Sequence, residues 1–180
     1  ITAGSDGTIE VRIGASSVGQ GVETGMAQIC AELLEISLDG ISVLHGSTTL
    51  LPSGGGTFAS RNTVMAGNAV RVAAEALQAR CLELAALRWN ESADALTYAH
   101  GGVRRTADVD DDFLSLAELA AFDAALDLGG LSADGNYSNE GKVSFSNGAH
   151  AALVAVDPET GEVELLRYVL SEEVGRVLNP

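Results

Sequence analysis

Hydrophobic residues in the first half of the chain follow two different periods. Over residues 8–15 apolar and charged residues alternate, which predicts a half-buried β-strand. Apolar residues recur at helical spacing over residues 22–36 and over the alanine-rich stretch 65–86, which predicts two helices. The short apolar run 41–45 lies between these helices and predicts a second strand.

Shorter elements are predicted in the middle of the chain. Residues 93–106 contain two short strand-like segments around a His-Gly-Gly turn, which predicts a small hairpin. Ser115 is followed three positions later by Glu118, a capping-box pattern that predicts the start of a short helix, 115–125. The polar, glycine-rich residues 127–139 are interpreted as a loop.

Two more predicted strands, 151–156 and 162–169, close the chain. The turn sequence Asp157-Pro158-Glu159-Thr160-Gly161 separates them and predicts a C-terminal β-hairpin. The order of elements predicts an α+β fold, a two-layer sandwich in which helices pack on one face of a mixed β-sheet. We interpret residues 1–180 as a single domain, in which residues 93–139 form an insertion or loop-rich subregion.

Composition and charge limit the classes of partner. Hydrophobic residues make up 46% of the 180 positions and charged residues 19%, which is enough apolar material to bury a core. The 25 acidic residues outnumber the 10 basic ones, giving a net charge of −15. We therefore predict no nucleic-acid partner, because phosphate backbones require a basic surface. Cys30 and Cys81 lie in apolar helical patterns and are interpreted as buried thiols.

The chain shows no membrane or targeting signal. No apolar run approaches the ~20 residues that span a bilayer, and the start lacks a signal-peptide pattern. We predict no membrane insertion and a cytoplasmic location, with the periplasm left open. Because the sequence begins at Ile1 and stops in a turn pattern at Pro180, we expect a piece of a longer chain. Such a piece could self-associate through surfaces that its neighbours would cover.

The strongest candidate for chemistry is the loop 53–61, which reads Ser-Gly-Gly-Gly-Thr-Phe-Ala-Ser-Arg. Its three consecutive glycines leave backbone N–H groups uncovered just before the predicted helix 65–86. Uncovered amides at a helix start form a cradle for an anionic group. Thr57 and Ser60 add hydroxyl groups, and Arg61 adds a permanent positive charge. A flexible glycine loop with Arg61 in water is the alternative that stays open.

A second candidate cradle lies upstream, where Gly19-Gln20-Gly21 precedes the predicted helix 22–36. The two glycines let a ligand approach the backbone closely. Gln20 offers a donor and an acceptor that suit the edge of a heterocycle, and Thr24 could cap the helix or hold a phosphate. A simple strand-to-helix turn explains the same residues. Two cradles in one small chain nevertheless indicate a large, phosphate-bearing ligand that lies across both.

The sequence contains no recognisable catalytic apparatus. His45, His100 and His150 are isolated, without a second His or Cys at ligand spacing, so we interpret them as structural and predict no metal ligand. Glu172 and Glu173 are adjacent on a strand and point to opposite faces, which makes them a poor acid–base pair. We predict no catalytic residue in this chain.

Five motifs lie in order along the chain, at residues 19–24, 54–61 continued by 66–70, 148–150, 156–161 and 175–180. Together they resemble the molybdopterin-binding large subunits of the molybdenum hydroxylases. That family includes xanthine dehydrogenase, aldehyde oxidase and aerobic carbon monoxide dehydrogenase. The resemblance implies that the chain is the first part of the second cofactor-binding domain of such a subunit.

The resemblance also implies a cofactor and partners. The cofactor would be molybdenum–molybdopterin, in the plain or the cytosine-dinucleotide form, used for oxidative hydroxylation of an aldehyde, an N-heterocycle or a similar substrate. The partners would be the rest of the large subunit and iron–sulfur and FAD subunits or domains. The implied cofactor-binding residues are Gly19, Gln20, Gly21, Thr24, Gly56, Thr57, Phe58, Ala59, Ser60 and Arg61. Among them, Gln20 and Gly21 would meet the pterin-phosphate end, and the Ala59 N–H would lie beside the metal centre.

The chain also departs from the family pattern. Ser47 stands where the family commonly has an aspartate in Gly-Asp-Thr, and Glu173 stands where many members have aspartate. The family's base, a glutamate in a later Gly-x-Gly-Glu motif, is not within the sequence. We therefore expect the isolated chain to be inactive and to carry no bound cofactor. A non-catalytic scaffold or interaction module that keeps the fold without the cofactor is one alternative function. A generic nucleotide-binding domain is another.

Overall fold

The computed structural model describes residues 1–106 and 112–179. Its N-terminal part forms a mixed three-stranded sheet with a helical crossover. The elements are β1 (Thr2–Ala3), β2 (Ile9–Arg12), helix α1 (Val22–Leu34) and β3 (Ile41–Leu44). Strand β2 pairs antiparallel with β1 and parallel with β3. Ile9 and Val11 on β2 are fully buried while Arg12 is exposed, so the predicted alternation is confirmed and the helices cover one face.

The second helical region starts earlier and ends later than the predicted 65–86. A π-helical turn, Asn62–Gly67, leads directly into helix α2, Asn68–Trp89. Asn90 adopts a left-handed conformation with φ of 54° and closes the helix by donating its N–H to the Ala86 carbonyl. The apolar stripe of α2 is buried against α1 and against the second sheet, because apolar residues at helical spacing form a single face.

An antiparallel second sheet follows. It consists of β4 (Leu96–Ala99), β5 (Gly102–Arg105) and β6 (Phe113–Ser115), and helix α3 (Leu116–Ala125) comes directly after it. The hairpin of β4 and β5 is confirmed, whereas β6 was not predicted because three residues are too few to show a period. Residues 107–111, inside the predicted subregion 93–139, lie outside the described residues, as does Pro180.

The core of residues 1–142 contains two thiols and a buried carboxylate. Cys30 and Cys81 are free and fully buried, as predicted, and burial raises their pKa to about 11 and about 12. Asp123 of α3 is also fully buried. It accepts hydrogen bonds from Arg80 Nη2 (3.2 Å) and from the Gly130 N–H (2.7 Å), so this carboxylate joins α2, α3 and the following loop.

The last part of the chain is the predicted β-hairpin. Strands β7 (Asn147–Val156) and β8 (Val163–Glu173) pair antiparallel. In the turn between them Gly161 has φ of 75° and donates its N–H to the Asp157 carbonyl at 2.9 Å. The Asp157 carboxylate accepts N–H bonds from Glu159 and Thr160, and these bonds lower its pKa. The turn chemistry therefore matches the prediction.

The chain divides into two compact units, Ile1–Lys142 and Val143–Pro180. The predicted α+β class, with helices on a mixed sheet and a C-terminal hairpin, is confirmed. The assignment of residues 1–180 to a single domain stays a prediction. Within residues 1–106 and 112–179, no helix combines the length and apolarity needed to cross a bilayer.

Helix α3 begins with the predicted capping box. The Ser115 hydroxyl accepts the Glu118 N–H at 3.3 Å, and the Glu118 carboxylate accepts the Ser115 N–H at 2.9 Å. These bonds satisfy donors that have no partner inside the helix. The hydrogen bonds from the backbone and hydroxyl of Ser115 lower the pKa of Glu118.

We predict that Glu118→Gln weakens the start of α3 in a pH-dependent way. A carboxylate whose folded pKa is lowered stabilises the fold above its unfolded pKa, and this contribution is lost as the pH falls through the folded pKa. Hydrogen exchange of the peptide covering residues 115–125 in the full-length protein should be faster in the variant at pH 7, and the difference should shrink below about pH 4. Ser115→Ala should cost about 1 kcal/mol. A Glu118→Gln effect independent of pH would contradict this account.

Candidate functional site

Both candidate cradles, the Gly-Gln-Gly bend and the glycine loop, form hydrogen bonds to the same backbone carbonyl, that of Ser16. Gln20, in the Gly-Gln-Gly bend (residues 19–21), donates from Nε2 to the Ser16 carbonyl at 3.3 Å. Thr57, in the glycine loop (residues 53–61), donates its hydroxyl to the same carbonyl oxygen and accepts the Ser16 N–H at 3.2 Å. Although 41 positions separate Ser16 from Thr57, the fold therefore places the two bends side by side.

The Thr57 hydroxyl uses its full hydrogen-bonding capacity. Besides its two bonds to Ser16, it accepts a bond from Asn62 Nδ2 at 3.0 Å, so its single donor and both acceptor positions are engaged. Asn62 is the first residue of the π-helical turn that leads into α2, and such turns are common at functional sites. One side chain thus fixes the glycine loop to the Gly-Gln-Gly bend and to the start of a long helix.

Glycine is required at one contact by close backbone packing. A Cβ atom at Gly54 would lie 2.5 Å from the Gly14 carbonyl oxygen, and one at Gly14 would lie 2.9 Å from the Gly54 Cα. Gly56 donates its N–H to the same Gly14 carbonyl at 3.4 Å. Segment 14–16, which begins two residues after the end of β2, is therefore a seam that contacts the glycine loop through Gly14 and both bends through Ser16.

The Gly-Gln-Gly bend leaves amides uncovered at the start of α1. Gly19 and Gly21 have φ of 99° and 69°, and a Cβ at either would find no atom within 4 Å. Gly21 is the N-cap residue, and no side chain caps the helix, so first-turn N–H groups remain available. Thr24 lies exposed within the first turn, so the interpretation of Thr24 as the helix cap is wrong. The side-chain amide oxygen Oε1 of Gln20 accepts the Val18 N–H at 2.7 Å, so this side chain also holds its own bend.

The second half of the glycine loop has an unusual backbone. Ala59 and Ser60 are consecutive non-glycine residues with φ of 51° and 52°, a conformation that such residues adopt mainly where surrounding structure enforces it. Phe58 is 64% exposed, and the Arg61 guanidinium lies 5.0 Å from its ring centroid. Arg61 Nη1 also donates to the Gly56 carbonyl at 3.2 Å. Because Arg61 folds over its own loop, the alternative with Arg61 in water is wrong.

The glycine loop borders a cavity of about 800 Å³ within the first unit. The opposite walls come from the end of β2, from the first turns of the helix that starts at Asn62, and from residues 132–137. Gly54, Gly56 and Arg61 all line it. A cavity of this size can hold a ligand as large as a typical organic cofactor.

Sequence reasoning missed the seam and the carboxylate neighbours of the three histidines. Ser16 sits in a run of small residues after a strand, a signal that is common in any loop. The His45 Nε2 and Glu23 Oε1 atoms are 2.8 Å apart, His100 Nδ1 lies 3.4 Å from Glu35, and His150 Nε2 lies 3.4 Å from Glu172, so none of the three histidines is isolated. Within residues 1–106 and 112–179, no group of three or more His, Cys, Asp or Glu side chains is arranged to hold a metal ion.

The predicted site residues are brought together in part. Gly19, Gln20 and Gly21 neighbour Gly56 and Thr57 through the Ser16 seam. The same loop continues with Phe58, Ala59, Ser60 and Arg61. Thr24 lies in the first turn of α1 instead of at its N-cap. Their contact with a cofactor stays a prediction.

We predict that Thr57→Val opens the glycine loop. Valine keeps the shape of threonine but removes the hydroxyl that bonds Ser16 and Asn62, and each hydrogen bond lost costs about 0.5–1.5 kcal/mol. Trypsin should therefore cleave after Arg61 roughly tenfold faster in the full-length protein, since cleavage follows local opening. Thr57→Ser retains the hydroxyl and should match the wild type. Equal cleavage rates for Thr57→Val and wild type would show that this hydroxyl does not hold the loop.

Known proteins resemble this chain along nearly its whole length. Residues 1–180 match the family model described as molybdopterin cofactor-binding domain. The chain is 39% identical over 180 residues to the 6-hydroxypseudooxynicotine dehydrogenase complex subunit gamma of Paenarthrobacter nicotinovorans, which aligns 97% of this chain with 22% of that protein. It is 31% identical over 179 residues to the carbon monoxide dehydrogenase large chain of Hydrogenophaga pseudoflava, again with 97% and 22% aligned.

Solved structures give the same result. Quinoline 2-oxidoreductase from Pseudomonas putida 86 superimposes with a TM-score of 0.72 at 28% identity, covering 99% of this chain and 23% of that one. The chain thus spans about a fifth of the length of the curated relatives it matches. Because the family model matches from the first residue to the last, the chain belongs to the molybdopterin cofactor-binding domain family of the molybdenum hydroxylases, as its motifs predicted.

Proposed function

We propose that this chain is the cofactor-binding portion of a molybdenum hydroxylase large subunit, and that both bends hold one molybdenum–molybdopterin cofactor. The observation that carries the proposal is the Ser16 carbonyl, which accepts hydrogen bonds from Gln20 of one bend and from Thr57 of the other. Two sets of uncovered amides held side by side suit one long ligand better than two small ones.

The donor set fits a pterin with phosphate groups. Backbone N–H groups at the uncapped start of α1 and along the glycine loop match phosphate and pterin acceptors. Gly19 and Gly21 face open space, since a Cβ at either would meet no atom within 4 Å, so a ligand can approach the backbone of the first bend. Arg61 supplies a local positive charge in a chain whose net charge is −15. Amide and guanidinium donors hold the organic part of the cofactor, which needs no metal ligand from these residues.

Each residue then has a defined task. Gly19, Gln20 and Gly21 shape and hold the bend at the pterin-phosphate end, with Thr24 in the first turn of α1. Gly56 and Thr57 anchor the glycine loop. The rest of the loop is its ligand-facing half, formed by Phe58, Ala59, Ser60 and Arg61. When bound, the cofactor supplies a redox-active metal centre for oxidative hydroxylation of an aldehyde, an N-heterocycle or a similar substrate. The residues of this chain position that centre.

The remaining parts of the enzyme are proposed on the relatives. One relative is named as a complex subunit and another as a large chain, which supports a multi-subunit assembly. We propose that its other components are the rest of the large subunit and iron–sulfur and FAD subunits or domains. The cytosine-dinucleotide form of the cofactor is proposed, and it can be checked by releasing the nucleotide with acid and identifying CMP. The isolated chain is proposed to be inactive and free of cofactor, because the proposed base lies in a motif outside this sequence.

We predict that Ala59→Phe in the complete large subunit lowers the molybdenum and pterin content. Ala59 is exposed in a left-handed backbone on the glycine loop, so a bulky side chain there would occupy the space proposed for the ligand without disturbing the core. Metal analysis and pterin fluorescence should fall to roughly a tenth of the wild-type values, which corresponds to about 1.4 kcal/mol of lost binding.

Asp127→Phe provides the matched control. Asp127 is also exposed with a left-handed backbone, at φ of 54°, but it follows α3 and takes no part in either bend. This variant should keep its full molybdenum content. A normal content in Ala59→Phe would contradict the proposed site, and a wild-type subunit without molybdenum or pterin would favour the scaffold function.

A further inference from the structure

We propose that Glu23 and His45 are positioning residues for the Gly-Gln-Gly bend. Their hydrogen bond fixes the first turn of α1 to the end of β3 and so holds the bend in the shape that receives the cofactor. The contact to the cofactor rests on the proposed function, whereas the effect on the bend does not.

The Glu23 carboxylate connects three parts of the fold. Glu23 lies in the first turn of α1, two residues after Gly21, and His45 directly follows β3. The His45 Nε2 and Glu23 Oε1 atoms are 2.8 Å apart. The same carboxylate interacts with the side chain of Ser17, which lies between the Ser16 seam and the bend. One acidic group therefore joins the strand end, the helix and the segment that leads into the bend.

The Glu23–His45 hydrogen bond fixes the start of α1 without capping it. Helix starts are usually fixed by a side chain at the N-cap, which consumes one of the free N–H groups. Here Gly21 is the N-cap and no side chain caps the helix, so those N–H groups stay available for a ligand. Because no side chain caps the helix, the orientation of the bend must be fixed by contacts that leave the amides free. The Glu23–His45 hydrogen bond is such a contact.

The surroundings of His45 define its role as a donor. Its Nδ1 atom is buried and has no hydrogen-bond partner among the described residues. A neutral ring protonated on Nε2 donates to Glu23 and leaves Nδ1 as an unprotonated acceptor, which avoids burying an N–H group without an acceptor. The side chain of His45 is only 20% exposed, so the bond is partly shielded from competing water. A glutamine at position 45 could donate through its amide in the same way, whereas alanine could not.

The test compares His45→Ala, His45→Gln and a control in the full-length protein. His100→Ala is the matched control, because His100 pairs with Glu35 at the opposite end of the same helix, at 3.4 Å. Hydrogen exchange of the peptide covering residues 16–24 reports the order of the bend. It is measured on protein produced in molybdenum-depleted cells, so that cofactor occupancy does not affect it. Molybdenum content is measured separately on protein from replete cells.

The expected results differ among the variants. His45→Ala should speed exchange in residues 16–24 roughly tenfold, since the lost hydrogen bond runs to a charged group and such bonds are stronger than neutral ones, and its molybdenum content should fall. His45→Gln should restore both values, and His100→Ala should leave both unchanged. Glu23→Ala breaks the same bond from a half-exposed helical position, also removes the interaction with Ser17, and should loosen the bend at least as much, which keeps the test valid if His45→Ala does not fold.

Three outcomes would overturn the positioning role. These are unchanged exchange in both His45→Ala and Glu23→Ala, equal loosening in His45→Gln and His45→Ala, and equal loosening of the bend in His100→Ala. Failure of the proposed function looks different. If the wild-type protein contains no molybdenum but its bend still loosens in His45→Ala and recovers in His45→Gln, the positioning role of Glu23 and His45 stands. The proposed cofactor binding is then contradicted.

Discussion

The site depends on a single backbone carbonyl that two side chains from distant parts of the chain share. Ser16 follows the buried strand β2, so its position is set by the core rather than by the loops. Gln20 and Thr57 each donate to its oxygen, which removes much of the conformational freedom of two loops that would otherwise be costly to order. The rigid core thereby transmits its geometry to exposed segments that bury little apolar surface of their own.

The glycines around this carbonyl serve two different physical purposes. Gly14 and Gly54 lack side chains because their backbones touch. Gly19 and Gly21 face open space and are suited to glycine by their positive φ values instead. The first pair makes the loop contact the seam, and the second pair exposes amides to a ligand. An uncapped helix start and two strained residues at Ala59 and Ser60 reduce stability at the positions where binding is proposed, as is typical of functional sites.

Local chemistry explains which features could be read from the sequence. The Ser115–Glu118 capping box and the Asp157–Gly161 turn are satisfied within a few residues, so short patterns predicted them correctly. The Ser16–Thr57 contact, the Glu23–His45 pair and the Gly14–Gly54 packing join residues far apart in the chain, and no periodicity encodes them. The motifs identified the family because glycine positions reflect backbone requirements. They did not show which residues hold the bends in place.

The most direct test of this account is an experimental structure of the complete large subunit with its cofactor bound. The account predicts one cofactor with hydrogen bonds of about 2.7–3.2 Å from backbone amides of both the Gly-Gln-Gly bend and the glycine loop. A bound cofactor that contacts only one bend, or that lies away from the Ser16 seam, would contradict it.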